Sequence, residues 1–208
     1  MQHQKNTATA YNRYPDIFKD TISLVMNRPV AVLSFGCSYG DEVATIKDLY
    51  HRESQVDGVD ILESCINECR SKFQSSLILD YSEFITRNER YDVIFAMSVL
   101  CRWEETETVD NCSDIYPFEF FEKAIGILVS KLRYGGLLVV YNANFRVSDT
   151  IYSDILDPVK SYMDGSGFVH KFDKENNKIN SVYQEVIFRK MTDEIKRLKK
   201  ELNLTIIN

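Results

Sequence analysis

Histidine is scarce in this sequence: three residues in 208, at positions 3, 51 and 170. His3 falls in a polar leading stretch, His51 at the far end of an expected helix and His170 near an expected hairpin. All three read as solvent-facing, and His170 alone is kept as a candidate base. The five cysteines, Cys37, Cys65, Cys69, Cys101 and Cys112, are an odd number without paired metal-ligand spacing, so they are read as reduced packing residues with no metal site. No apolar run approaches the roughly 20 residues that span a bilayer, and the start MQHQK lacks the apolar core of a signal peptide. The expectation is a cytoplasmic protein without a membrane partner. Positive charge is also in deficit. A net charge of −6 and a pI near 5.2 give no attraction to phosphate backbones, so long nucleic acids are not expected as partners. The one basic run, Lys196, Arg197, Lys199 and Lys200, is interleaved with Ile195, Leu198 and Leu202 at helical spacing and reads as the solvated face of a C-terminal amphipathic helix. Internal repeats, linkers and low-complexity segments are absent. The expected organisation is one domain: a capping helical segment over 1–28, an α/β core over 29–190 and a helix or tail over 191–208.

What the sequence does have is concentrated in residues 32–42, VLSFGCSYGDE, where an apolar run breaks into small residues and meets an acidic helix start. That order predicts a strand, a tight turn and a helix. Gly36 and Gly40 permit backbone shapes and close approaches that a side chain obstructs, and the new helix offers unpaired N–H groups. A nucleotide-like ligand fits there. A second strand over 55–60 ends on Asp60, twenty residues after Gly40. At that distance in a βαβ unit an acid can accept hydrogen bonds from ribose hydroxyls; Asp60 is equally suited to cap the helix expected over 63–73.

The remaining pattern keeps the same rhythm. Helices are expected over 11–26, 41–51, 63–73, 82–87 and 118–132, and strands over 30–35, 55–60, 76–80 and 91–96, with a fifth strand following Gly136. The first helix is placed to cap the ligand. Residues 102–117 have no clear period and read as a loop over the strand ends, while 168–179 and 181–189 read as two antiparallel edge strands. The fold class is α/β: a Rossmann-like, seven-stranded, mostly parallel sheet with helices on both faces and an antiparallel edge strand.

Four ordered blocks carry a resemblance to the class I S-adenosylmethionine-dependent methyltransferases: residues 32–42, 59–61, 77–81 and 91–100, followed by a turn into strand five at 132–141. The first motif is somewhat like that of the chemotaxis-receptor carboxyl methyltransferases. The resemblance implies S-adenosylmethionine as cofactor, held by Phe35, Gly36, Cys37, Ser38, Gly40 and Glu42 at the methionine end and by Asp60 and Ile61 at the ribose. Asp80 and Tyr81 fall at the adenine, and Ala96, Met97 and Ser98 along strand four. This sequence departs from the family where Ser34 stands in place of an acid and Ser38 in place of a glycine. Glu42 is the replacement acid, or simply a first-turn acid favoured by the helix dipole.

With no well-placed histidine, the acceptor is expected to be nucleophilic at neutral pH, such as a carboxylate, and to need a cationic holder. Arg13, Arg102 and Arg146 are the candidates. Tyr14 and Trp103, with Tyr11, Tyr141 and Phe145, are a candidate aromatic wall. Asn142, with Asn144, follows strand five and either contacts substrate or steadies the turn. The expected activity is methyl transfer to oxygen or nitrogen of a small molecule or an exposed side chain. Two alternatives stand beside it: a non-catalytic S-adenosylmethionine-binding subunit acting through a partner, and a nicotinamide-dependent oxidoreductase, which normally wants the G-x-G-x-x-G pattern that this turn lacks. Oligomeric state is not legible.

Overall fold

The computed structural model describes residues 2–198. The first helix, α1 (Pro15–Leu24), starts at its proline, whose missing N–H costs nothing in the first turn. Strand β1 (Ala31–Phe35) leads into α2 (Asp41–Thr45), which widens into a π-type turn over Ile46–Tyr50 closed by His51 N donating to Ile46 O at 2.7 Å. Then come β2 (Gln55–Asp60), α3 (Glu63–Lys72), β3 (Ile78–Asp80), α4 (Tyr81–Thr86) and β4 (Tyr91–Met97). A short α5 (Trp103–Thr106) interrupts the loop above the strands before α6 (Phe118–Lys131) and β5 (Leu132–Tyr141).

The C-terminal part corrects the expected edge. The strand at the edge of the sheet is β6 (Leu156–Ser161), and it pairs antiparallel with β9 (Glu185–Lys190). Within 168–179, β7 (Lys171–Phe172) and β8 (Lys178–Ile179) form a separate two-stranded hairpin. The reason is local: Pro158 reads as a strand breaker in sequence, yet an edge strand has one side with no ladder partner and tolerates the missing donor. Phe172 accepts from Tyr183 Oη and Lys171 donates to Ala143 O, which ties the small hairpin to the end of β5 instead of the sheet edge.

The seven strands run in the order β3-β2-β1-β4-β5-β9-β6, with β1 to β5 mutually parallel and β9 antiparallel to both its neighbours. Residues of β4 alternate between faces. Val93, Phe95 and Met97 join Ile17 and Phe18 of α1, Val43 of α2 and Ile66 of α3, while Ile94 and Ala96 join Phe84 of α4 and Phe121, Ile125 and Leu128 of α6. Both faces are thus covered, and the strands read as near-continuous apolar runs. The chain leaves β1 toward β2 on one side and β4 lies on the other. In such sheets this switch opens a crevice at the C-terminal strand ends.

All five cysteines are free and buried. Among the described residues no group of His, Cys, Asp or Glu is arranged to hold a metal ion, and no helix is long and apolar enough to cross a membrane. The basic run is described only as far as Leu198, where Lys196 lies 3.7 Å from Asp154; Lys199, Lys200 and Leu202 lie outside the described residues.

Candidate functional site

After β1 the chain turns through Gly36 (φ 80°) and Ser38 (φ 48°) to Gly40 (φ 93°), which heads α2. The turn is fixed to β2 because the N–H groups of Gly36 and Cys37 both donate to Val59 O, at 2.8 and 3.0 Å. Two glycines are required by space as well as by φ. A Cβ on Gly36 would lie 2.4 Å from Val99 Cγ2, and one on Gly40 would lie 2.6 Å from the Phe73 ring.

Beside this turn lies a cleft of about 960 Å³, open mouth included, in the size range of small-molecule sites. Of the residues expected at a cofactor, Phe35, Gly36, Ser38, Glu42, Asp60, Ile61, Tyr81, Met97 and Ser98 line it. Cys37, Gly40, Asp80 and Ala96 do not. Cys37 and Ala96 are buried in the packing on opposite faces of the sheet, and Gly40 is packed against α3. Asp80 heads α4 in a reciprocal cap: its Oδ1 accepts from Ser82 N at 2.8 Å and from the Ser82 hydroxyl, while Glu83 accepts from Asp80 N at 3.0 Å. Those bonds hold its carboxyl below its ordinary range. Asp80 therefore positions Tyr81 from behind the cleft wall.

Asp60 lines the cleft and does not cap α3, whose N-cap is Leu62 with no side-chain bond; it steadies the turn before that helix instead. Its Oδ1 accepts from Ile61 N (2.8 Å) and Leu62 N (3.0 Å) at the entry to α3, and its Oδ2 accepts from Ser38 N (2.8 Å) across the cleft floor. A carboxylate offers about four acceptor sites, so one remains on the cleft side. Next to it, the exposed Ile61 (41%) and the half-buried Tyr81, propped edge-on by Phe35 at 6.1 Å, present apolar surface.

At the other end stands Glu42. Its carboxyl accepts from Ser34 Oγ at 2.7 Å, so the serine that occupies the family's acidic position is a donor to the acid from α2. Burial pushes the Glu42 carboxyl up to about 8, with the Ser34 bond and the Arg13 charge pulling the other way.

Three non-glycine residues with left-handed backbone, Ser38, Ser98 (φ 56°) and Asn142 (φ 57°), sit just beyond β1, β4 and β5. Such strained positions concentrate at functional sites. Two of them are linked, with Tyr14: Tyr14 Oη and Ser98 Oγ are 2.7 Å apart, and Asn142 Nδ2 donates to Ser98 Oγ at 3.0 Å. Asn142 Oδ1 accepts from Val169 N at 3.0 Å, so Asn142 orients the hydroxyl pair and does not itself line the cleft.

The capping segment expected over 1–28 covers the cleft mainly through its non-helical part. Residues 2–14 form an extended arm across the cleft mouth, and Gln2, His3, Gln4, Thr7 and Ala8 line it. The arm is fastened by Ser38 Oγ donating to Thr7 O (2.8 Å), by Asn12 N donating to Thr45 Oγ1 (2.7 Å) and by Tyr50 Oη donating to Asn12 Oδ1 (2.7 Å). Capping is the work of this arm; α1 contributes Phe18 to the cleft and packs it on Phe95. No apolar period marks the arm, because its contacts are made by backbone groups and short polar side chains.

The arginines separate. Arg13 lines the cleft from the arm, with its guanidinium over the Tyr14 ring. Arg146 pairs with Asp149 at 3.0 Å and lies over Tyr183, away from the cleft. Arg102 is buried beneath the arm. Trp103 meets Phe168 edge-on at 5.2 Å outside the cleft. The histidines are not solvent-facing as expected. His3 lines the cleft and bonds Tyr116 Oη at 2.7 Å, and His51 is buried against Thr21 Oγ1 at 3.1 Å. Burial lowers both to about 4, nearby positive charge adding to the effect at His3. His170 is half-buried in the loop before β7 and does not line the cleft.

No family profile matches this chain, and no curated protein matches it. Solved structures do. The SAM-bound CalS10, an amino pentose methyltransferase from Micromonospora echinaspora, is 13% identical over 64% of this chain and 50% of its own, with a TM-score of 0.46. StiE O-MT residues 961–1257 are 16% identical over 71% and 52%, at 0.49. The plantazolicin methyltransferase BpumL in complex with SAH is 18% identical over 58% and 42%, at 0.43. The chain spans about half the length of these structures. At such values they are recorded as likenesses of fold, and function is argued from the site.

Proposed function

We propose that this chain is an S-adenosylmethionine-dependent methyltransferase, acting on oxygen or nitrogen of a small molecule or an exposed side chain. The observation that carries the reading is the Glu42 carboxyl in the cleft wall beside the glycine turn. A dinucleotide would bring its pyrophosphate to that place, where N–H donors would be needed and a carboxyl group that only a cation would ionise stands instead. An amino acid's ammonium group is instead matched by it. Asp60 then has its remaining acceptor site for a ribose hydroxyl, and Ile61 and Tyr81 flank a planar base.

When bound, this cofactor supplies an electrophilic methyl group on a sulfonium. The chain's own part is to bind and orient, since an in-line displacement depends on holding the reacting atoms in position. Tyr14 from the arm and Ser98 from the end of strand four are paired hydroxyls lining the cleft, steadied by Asn142. An acceptor already nucleophilic at neutral pH suits that surface. Calorimetry with S-adenosylhomocysteine and with NADH tests the assignment. Binding of the first and not the second is expected; the reverse overturns it. Turnover-incompetent binding would turn the reading toward a cofactor-binding subunit.

A further inference from the structure

Arg102 is 6% exposed, yet two of its three guanidinium nitrogens, Nε and Nη1, have no hydrogen-bond partner. A buried cation with unmade donors is costly and calls for a cause. Its third nitrogen, Nη2, donates to the backbone carbonyl of Gln2, an arm residue that lines the cleft. Glu105 Oε2 lies 3.6 Å from Nη1, too far for a hydrogen bond, and the Glu105 carboxylate is engaged at Oε1 by Lys5 of the arm. The backbone beneath is fixed: Arg102 N donates to the buried Asn144 Oδ1 at 2.7 Å, and Asn144 is itself anchored on His170 O at 2.8 Å.

The arm that covers this group is built to leave. Its fastenings here are polar, from Gln2 to Arg102, His3 to Tyr116, Gln4 to Cys101 Sγ at 3.2 Å and Lys5 to Glu105. Among the described residues, none before Ile17 belongs to the buried core. Opening such a segment gives up little apolar burial, which places it at the low-stability end of the molecule.

We infer that Arg102 is the anion-binding residue of an acceptor subsite, and that the Gln2 carbonyl keeps its place until a carboxylate-bearing acceptor displaces the arm. A planar guanidinium whose Nε and Nη1 are idle and whose Nη2 is held only by a neutral carbonyl matches a carboxylate, which takes Nη2 from Gln2 together with Nε or Nη1 and so satisfies two donors at once with a full opposite charge. Arg102 supplies recognition of the acceptor, not the methylated atom. The inference rests on the methyl-transfer reading.

The test uses the isotope-labelled full chain saturated with S-adenosylhomocysteine and three probes: formate, benzoate and its neutral isostere benzamide. Formate and benzoate should shift the amide signals of residues 2–5 and the Arg102 Nε–H signal, and benzamide should not. Arg102→Met should weaken benzoate about 10-fold or more. Carboxylates that leave the arm and Nε–H signals unmoved, benzamide that moves them equally, or unchanged benzoate affinity in Arg102→Met overturns the inference. If that variant does not fold, the benzoate and benzamide comparison on the unaltered chain decides. Intact S-adenosylhomocysteine binding with silent carboxylates removes this inference alone; absent S-adenosylhomocysteine binding removes the reading beneath it as well.

Discussion

Glu42 ties cofactor affinity to pH, and the size of the effect follows from its surroundings. Its carboxyl accepts a hydrogen bond from Ser34 Oγ at 2.7 Å, and burial pushes it from an ordinary 4.5 up to about 8. At pH 7 about nine in ten free molecules then carry the neutral acid, by a one-unit gap between pH and that value. An ammonium group needs the carboxylate, so binding must expel a proton below pH 8. Affinity for S-adenosylhomocysteine should rise about tenfold per pH unit from 6 to 8, about 100-fold in all, and level off above. Calorimetry at pH 6, 7 and 8.5, in buffers of different ionisation enthalpy, reads affinity and proton release together. Release should approach about one proton at pH 6. Glu42→Gln should remove the slope and bind at all pH values as weakly as the protonated parent. The free protein's stability carries the opposite sign. Because the folded state binds more protons between 4.5 and about 8, stability falls as pH rises through that window, and Glu42→Gln flattens the fall. An affinity flat from pH 6 to 8.5, or an unchanged slope in Glu42→Gln, would refute the pairing of Glu42 with an ammonium.

Other expectations follow from individual contacts. Asp60→Asn should weaken S-adenosylhomocysteine about 10-fold or more by calorimetry, while Asp60→Ala should also lower the melting temperature, because three backbone N–H groups lose their acceptor at about 1–3 kcal/mol for each that stays buried. Gly36→Ala should abolish tight cofactor binding and destabilise the fold. Adding Val99→Ala removes the 2.4 Å clash with Cγ2 but leaves the 2.8 Å contact with Cβ and the positive φ, so denaturant melts of the double variant should recover only part of the loss and leave at least about 1–2 kcal/mol. Tyr14→Phe should cost about 0.5–1.5 kcal/mol in acceptor kcat/KM with S-adenosylhomocysteine affinity unchanged, since one hydroxyl on Ser98 is lost; an equal drop in both would place Tyr14 on the cofactor.

The glycine-turn side of the cleft was legible because its determinants are local. A strand, a glycine turn, an acidic helix start and Asp60 at the next strand end lie within thirty residues of sequence and follow from backbone freedom and alternation alone. What they do not reveal is competition for the same atoms. Asp60 spends three acceptor sites on Ser38, Ile61 and Leu62, and Asp80 is consumed as a helix cap, facts that depend on side-chain geometry. The edge strand was missed for a different reason. Pro158 argues against a strand only where both sides of the ladder are used, and sequence does not say which strand lies at the edge. Arg102 was named from sequence as a candidate anion holder, but the arm over it was illegible because it is fastened by contacts about a hundred residues apart, Gln2 with Arg102 and His3 with Tyr116. One of these uses a backbone carbonyl, which every residue has. The left-handed Ser38, Ser98 and Asn142 give no sign either, since nothing in a serine announces a positive φ. The same physics separates the two halves in function: a ligand read by a preformed turn and fixed strand ends keeps a constant recognition pattern, whereas a ligand that must displace a polar arm is selected by how well it replaces the arm's own hydrogen bonds. On the proposed reading, exchanging residues 2–14 while keeping the strand ends should alter the acceptor without altering the cofactor, because that arm lines the cleft.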